Sequence, residues 1–199
     1  MIKLLGRKTS GNVQKVLFLL EELGVPYERI DYGRQFNNTQ DEAYLRLNPN
    51  AKVPTLIDGD VVVWESNSIL RYLAGTNDNR FHPGDWAERS KAERWMDWQL
   101  ASLDPAFLAI FREMRNPPEQ RSNQFDTYVE TLGQTLAIMD RGLGGNRWLA
   151  GNEMTISDIC LGPVVQRCLA FEITLPALSN VRRWHSAVAE RPAFRKAIS

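Results

Sequence analysis

The sequence is poor in the residues that most often carry covalent or metal chemistry. Its 199 residues hold only two cysteines, Cys160 and Cys168, and two histidines, His82 and His185. Two cysteines on one segment with helical character close no disulfide framework, and read as buried thiols in a reducing compartment. The histidines lie far apart, and no cluster has zinc-ligand spacing, so no metal is expected. No apolar run approaches the length of a membrane span, and MIKLLGRKTSG lacks the apolar core and cleavage site of a signal peptide. A cytoplasmic chain with no membrane partner is therefore expected, and the sequon Asn37-Asn38-Thr39 is idle without export. Charge of one sign is also missing: 24 basic residues balance 24 acidic ones. Nothing favours a nucleic acid or an anionic surface as partner. There is no G-x-G-x-x-G, no phosphate loop and no C-x-x-C.

What is present is ample apolar material, 43% of residues, enough for one large or two small domains. Ile2 to Gly6 is a short apolar strand. Ser10-Gly11-Asn12 offers helix N-cap residues, and Val13, Val16, Leu17 and Leu20 then recur at helical spacing until Gly24 stops them. Pro26 leads into a second strand, Tyr27 to Tyr32. This is a βαβ unit with a right-handed crossover and parallel strands. A polar loop from Arg34 to Thr39 and a short helix from Asp41 to Leu47 follow.

The stretch from Asn48 to Leu73 is the most structured in its signals. Val53 before Pro54 is pushed to extended geometry, and Pro54 offers no N–H. Thr55-Leu56-Ile57 and Val61 to Trp64 are strands about the turn Asp58-Gly59-Asp60. Glu65-Ser66-Asn67-Ser68 ends the hairpin and starts a helix to about Ala74. A polar helix start aimed over a sheet end can hold an anion, although an ordinary capped helix would look the same.

Residues 79–85 read as a linker, and almost everything after them is helical. Trp86 to Met114 carries a ridge of Trp95, Gln99, Leu103 and Phe107, with Pro105 either kinking it or opening a new segment. Asn116-Pro117-Pro118 breaks it. Phe125, Val129, Leu132, Leu136, Met139 and Leu143 form a bundle-facing stripe. Thr155 to Asp158 has the form of a capping box flanked by a Met154–Ile159 staple, on a helix with Pro163 inside it. Two shorter helices, Leu178 to Glu190 and Pro192 to Ala197, finish the chain.

With Val53-Pro54 before the third strand, Glu65-Ser66 at the third helix and the Thr155–Asp158 cap, the whole chain resembles the cytosolic glutathione transferases. It is most similar to their bacterial, theta-like branch with an active-site serine. The resemblance implies an α+β, thioredoxin-like N-terminal domain (βαβ-ββα) over 1–78, a linker over 79–85 and an all-α C-terminal domain over 86–199. It further implies a cis peptide before Pro54, a homodimer, glutathione as co-substrate and a small electrophile as second substrate.

A thiol of pKa about 8.5 is mostly protonated at pH 7, and lowering that pKa by about 2 requires favouring the thiolate by about 2.7 kcal/mol. Hydrogen bonds to the sulfur and a helix N-terminus can supply this. Ser10 is the expected donor, with Asn12 and the charge of Arg7 as candidate helpers; alternatively Ser10 merely caps the helix. Ser10 is not expected to be a covalent nucleophile, since no base lies near it in sequence. By resemblance, Val53 offers main chain to the cysteinyl part of glutathione, and Glu65 and Ser66 hold the γ-glutamyl end. Lys52 could meet the glycyl carboxylate, and Thr39 and Asn38 are candidates by position. Leu103, Phe107, Phe111 and Met114 could line an apolar pocket or simply pack a core. Because position 10 is Ser, reduction through a protein cysteine is disfavoured. Glutathione-dependent peroxide or disulfide reduction remains as an alternative, as does a non-catalytic interaction protein with this fold.

Overall fold

The structure is a computed structural model that describes residues 1–82 and 84–199. Residue 83, inside the expected linker 79–85, lies outside the described residues. The chain divides into two compact units, one of residues 1–84 with 189–199, the other of residues 85–188.

The first unit is built on a four-stranded sheet. β1 (Ile2–Leu5) runs parallel to β2 (Tyr27–Ile30), and antiparallel to β3 (Thr55–Asp58), which pairs with β4 (Val61–Trp64). The parallel pair needs a crossover, which α1 (Gly11–Leu23) provides. The first two strands stop short of the expected Gly6 and Tyr32. Backbone pairing nevertheless continues past them, from Gly6 N–H to the Ile30 carbonyl at 2.8 Å and from Arg7 N–H to the Tyr32 carbonyl at 3.1 Å. This carries β1 forward to the head of α1.

Every residue from Val13 to Leu20 is buried, because α1 is covered on several sides, by α3 (Ser66–Gly75) and α9 (Pro192–Ile198) among others. Gly24 ends it in the left-handed region (φ 67°), with the Gly24 and Val25 N–H groups turned back to the Glu21 and Leu20 carbonyls. Gly59, at φ 58°, makes the β3–β4 turn. A 3₁₀ turn (Arg34–Phe36) interrupts the loop before α2 (Glu42–Leu47).

The second unit holds α4 (Trp86–Trp98), α5 (Asp104–Glu113), α6 (Phe125–Leu143), α7 (Ile156–Leu169) and most of α8 (Ser179–Ala189). Pro105 opens α5, and the turn before it, Gln99–Leu103, is widened to a π-helix. Proline has no N–H for the carbonyl four residues back and its ring crowds that carbonyl, so the ordinary register yields there. The stripe of α6 is buried from Leu132 through Leu143. The box at the head of α7 forms: Thr155 N–H donates to Asp158 Oδ2 at 2.9 Å. Cys160 and Cys168 are buried thiols outside any disulfide, Cys160 donating to Gln99 Oε1 at 3.3 Å, and burial pushes the Cys168 thiol up, away from thiolate chemistry.

One boundary differs from the expectation that 86–199 is a single helical domain. Residues 189–199 pack with the first unit, where α9 lies on α1. Phe194 meets Phe18 edge-on with centroids 5.2 Å apart, Lys196 Nζ donates to Glu21 Oε2 at 2.8 Å, and Arg191 forks onto the Glu22 carboxylate.

Candidate functional site

Ser10 is the N-cap residue of α1, in extended geometry and 7% exposed, yet its side chain makes no capping hydrogen bond. The chain reaches it through a turn in which Ser10 N–H donates to the Arg7 carbonyl at 3.1 Å. No acidic residue occupies the first turn of α1 or of α3; the carboxylate nearest in sequence to either start is that of Glu65, the N-cap residue of α3.

The two helix starts are tied together by successive side-chain pairs. Ser66 Oγ donates to Asn12 Oδ1 at 3.3 Å, and one turn further along α1 the Lys15 ammonium donates to Asn67 Oδ1 at 3.4 Å. Sequence reasoning missed Lys15. It lies off the apolar stripe, and its near-complete burial, 1% exposed, follows from packing on faces of α1 that the stripe does not include.

Glu65 precedes α3 at φ 68°, an uncommon conformation for a non-glycine residue. Its carboxylate is exposed and accepts from Asn50 Nδ2 at 3.1 Å, which links it to the loop before β3. That loop carries Lys52, whose side chain is exposed, half-buried Val53 and buried Pro54, with the Val53–Pro54 bond cis. Val53 packs against two glycines. A Cβ on Gly33 (φ 85°) would stand 3.3 Å from Val53 Cγ1 and 3.1 Å from Arg7 Nη1, and one on Gly6 would stand 3.3 Å from Val53 Cβ and only 2.5 Å from Val13 Cγ2.

The Lys52 carbonyl accepts from Tyr44 Oη at 2.6 Å and from Asn48 Nδ2 at 2.8 Å. Burial pushes the Tyr44 phenol up, so it stays a donor. Tyr44 stacks on Tyr32 with centroids 4.9 Å apart. These residues too were missed, since their partners are not at any regular spacing. Of the positional candidates, Asn38 holds its own loop, accepting from Gly33 N–H at 3.0 Å and donating to the Asp31 carbonyl at 3.1 Å. Thr39 is half-buried, and no hydrogen bond among the described residues joins it to Ser10 or Ser66.

In the helical unit Leu103 and Phe107 are buried, and Phe107 stacks with Phe111 and Phe171 at 5.5 and 5.6 Å. That part of the ridge is core. Trp95 is also packing: its Nε1 donates to the Leu149 carbonyl at 3.0 Å, and its ring fills the space where a Cβ on Gly142 would stand. No group of three or more His, Cys, Asp or Glu that could hold a metal occurs among the described residues, and no helix there is long and apolar enough to cross a membrane.

A thioredoxin-like domain with two helix starts joined over one sheet end, followed by a helical unit, is the architecture that the comparisons with known proteins identify. The family described as Glutathione S-transferase, N-terminal domain matches residues 2–75, and that described as Glutathione S-transferase, C-terminal domain matches residues 102–192. Glutathione S-transferase GstB of Escherichia coli (strain K12) is 38% identical over 203 residues, spanning 100% of this chain and 98% of that one. The theta class glutathione S-transferase of Xanthomonas axonopodis pv. citri, solved with glutathione bound, is 35% identical with a TM-score of 0.93 over 99% of this chain and 96% of that one. The glutathione transferase URE2P6 of Phanerochaete chrysosporium, solved with oxidized glutathione, is 28% identical with a TM-score of 0.88 over 98% and 94%. The chain belongs to the glutathione S-transferase family, a family of transferase enzymes.

Proposed function

We propose that the first unit binds glutathione with its sulfur at Ser10, and that the enzyme directs the thiolate at a small electrophile, displacing a leaving group or adding across an activated bond. The observation that carries this reading is the Ser66–Asn12 contact of 3.3 Å, which sets the starts of α3 and α1 side by side in a chain of this family. A ligand spanning both would have its carboxylate at one helix N-terminus and its sulfur at the other. The Ser10 hydroxyl, which the helix does not use as a cap, donates to sulfur. Asn12 and the N–H groups of the first turn of α1 add to it, with Arg7 a further source of positive charge.

In this reading Val53 supplies main-chain pairing to the cysteinyl residue beside Pro54. Glu65 accepts from the γ-glutamyl ammonium, and Ser66 with the N–H groups of α3 faces the γ-glutamyl carboxylate. Lys52 meets the glycyl carboxylate, with Thr39 at the periphery. Rate enhancement comes from thiolate stabilisation and placement. The active form is a homodimer in the cytoplasm.

The test is glutathione titration followed by the ultraviolet absorbance of the bound thiolate against pH. Wild-type protein is expected to bind glutathione at or below millimolar concentration with its thiol pKa lowered by about 2. Ser10→Ala is expected to return that pKa towards the free value while binding persists. Failure of wild type to bind sinks the reading, and an unchanged pKa in Ser10→Ala removes Ser10 from it. Reduction of peroxides or disulfides with glutathione as the sulfur source is the second reading, favoured by the oxidized glutathione in the Phanerochaete relative. A panel of aryl halides, peroxides and disulfides separates the two.

A further inference from the structure

Three buried polar side chains close a ring beneath the loop before Pro54. Tyr44 on α2, Asn48 at its C-terminal end and Thr55 at the start of β3 are 1%, 2% and 0% exposed. Tyr44 Oη and Asn48 Nδ2 each reach Thr55 Oγ1, at 2.9 and 3.0 Å, and each donates to the carbonyl of Lys52, at 2.6 and 2.8 Å. Asn48 Oδ1 also accepts from Asn50 N–H at 3.0 Å. Stability alone gives little reason for this arrangement. A phenylalanine at position 44 would keep the stack on Tyr32, and a buried polar network is worth little net over apolar packing of the same shape.

The ring does something apolar packing could not: it fixes the direction of one peptide plane. The Lys52 carbonyl and the Val53 N–H belong to the same peptide unit, and that unit is trans, the one cis bond among the described residues being Val53–Pro54. In a planar trans peptide C=O and N–H point opposite ways. Two donors that hold the carbonyl inward therefore aim the Val53 N–H outward, where no group among the described residues accepts from it.

We infer that Tyr44 and Asn48 are positioning residues that present Val53 for main-chain pairing with an extended peptide ligand, which is the cysteinyl part of glutathione if the proposed function holds. The inference rests on that reading but makes its own prediction. Tyr44→Phe keeps the ring and its stack and deletes one of the two bonds to Lys52. It is expected to weaken glutathione binding about five- to tenfold, raising Kd and KM together, while the thiol pKa of bound glutathione and kcat with an activated aryl chloride stay within about twofold of wild type. Thr55→Val leaves both bonds to Lys52 in place and is expected to change Kd less than about twofold, although it too removes a buried hydroxyl. Wild type that takes no glutathione overturns the functional reading and this inference with it. Wild type that binds, with Tyr44→Phe binding equally and only melting lower, overturns the positioning role alone. So does a Thr55→Val variant that weakens binding as much as Tyr44→Phe.

Discussion

Ser10 is the N-cap residue of α1 and Ser66 the first residue of α3; the Ser10 hydroxyl makes no capping bond and the Ser66 hydroxyl turns to Asn12. Glu65, the N-cap residue of α3, holds a positive φ of 68°, a conformation that costs a non-glycine residue about 1–3 kcal/mol. Such strain persists where surroundings over-determine the backbone, and here Asn50 grips the Glu65 carboxylate from the next loop. Glu65→Gly removes the strain and the carboxylate together. Glycine costs about 0.5–1 kcal/mol of added unfolded-state freedom, so stability in urea is expected to hold or rise slightly. Glutathione affinity is expected to fall about tenfold or more, the worth of a hydrogen bond to a charged group. A variant that loses stability without losing affinity would show that Glu65 serves the fold and not the ligand.

At the scale of elements, the docking of α9 on α1 is the contact a reader of the sequence would miss. The spacing of Pro192 to Ala197 gives the helix but not its partner, because Phe18 and Phe194, or Glu22 and Arg191, are separated by most of the chain. Local chemistry, by contrast, was legible. Gly24 ends α1 in the left-handed region, Gly59 turns the hairpin, and Asp158 reaches back to Thr155 N–H, because each depends only on neighbours a few residues away. The contacts that hold α9 differ in burial, and that sets their order. Phe194, fully buried, is expected to cost about 3–5 kcal/mol when replaced by alanine. Arg191→Ala strands the Glu22 carboxylate, whose side chain is only 6% exposed, at about 1–3 kcal/mol. Lys196→Ala removes an ammonium whose side chain is 68% exposed and leaves Glu21 its hydrogen bond from Tyr27 Oη at 2.7 Å, and is expected to cost less than about 1 kcal/mol. Urea denaturation of the three variants checks the order, and a reversal between Arg191 and Lys196 would show that burial does not govern these pairs.

Over the whole molecule the candidate glutathione residues, Ser10, Asn12, Thr39, Lys52, Val53, Pro54, Glu65 and Ser66, fall in the unit of residues 1–84 with 189–199. The sequence picked them out because resemblance and helix-start chemistry converge there. It could not show the Tyr44–Asn48–Thr55 ring or the Lys15–Asn67 tie, which exist only once strands and helices have met. The helical unit has its own organising residue. Asp158 is fully buried and accepts from Leu149 N–H at 2.9 Å, Thr155 N–H at 2.9 Å and Trp184 Nε1 at 2.8 Å. Burial pushes its carboxyl up, and these donors oppose that shift. Asp158→Ala would leave three buried donors without an acceptor, and is expected to destabilise the protein by about 3 kcal/mol or more. None of the candidate glutathione contacts involves Asp158 or the groups it holds. Below its melting temperature the variant is therefore expected to bind glutathione with Kd within about twofold of wild type, since its lost stability lies outside the unit that carries them. Denaturant titration paired with calorimetric binding measures both quantities on one preparation. A Kd that rises tenfold in the folded variant would mean that residues 85–188 shape the glutathione site, and that the ligand contacts assigned to the first unit are incomplete.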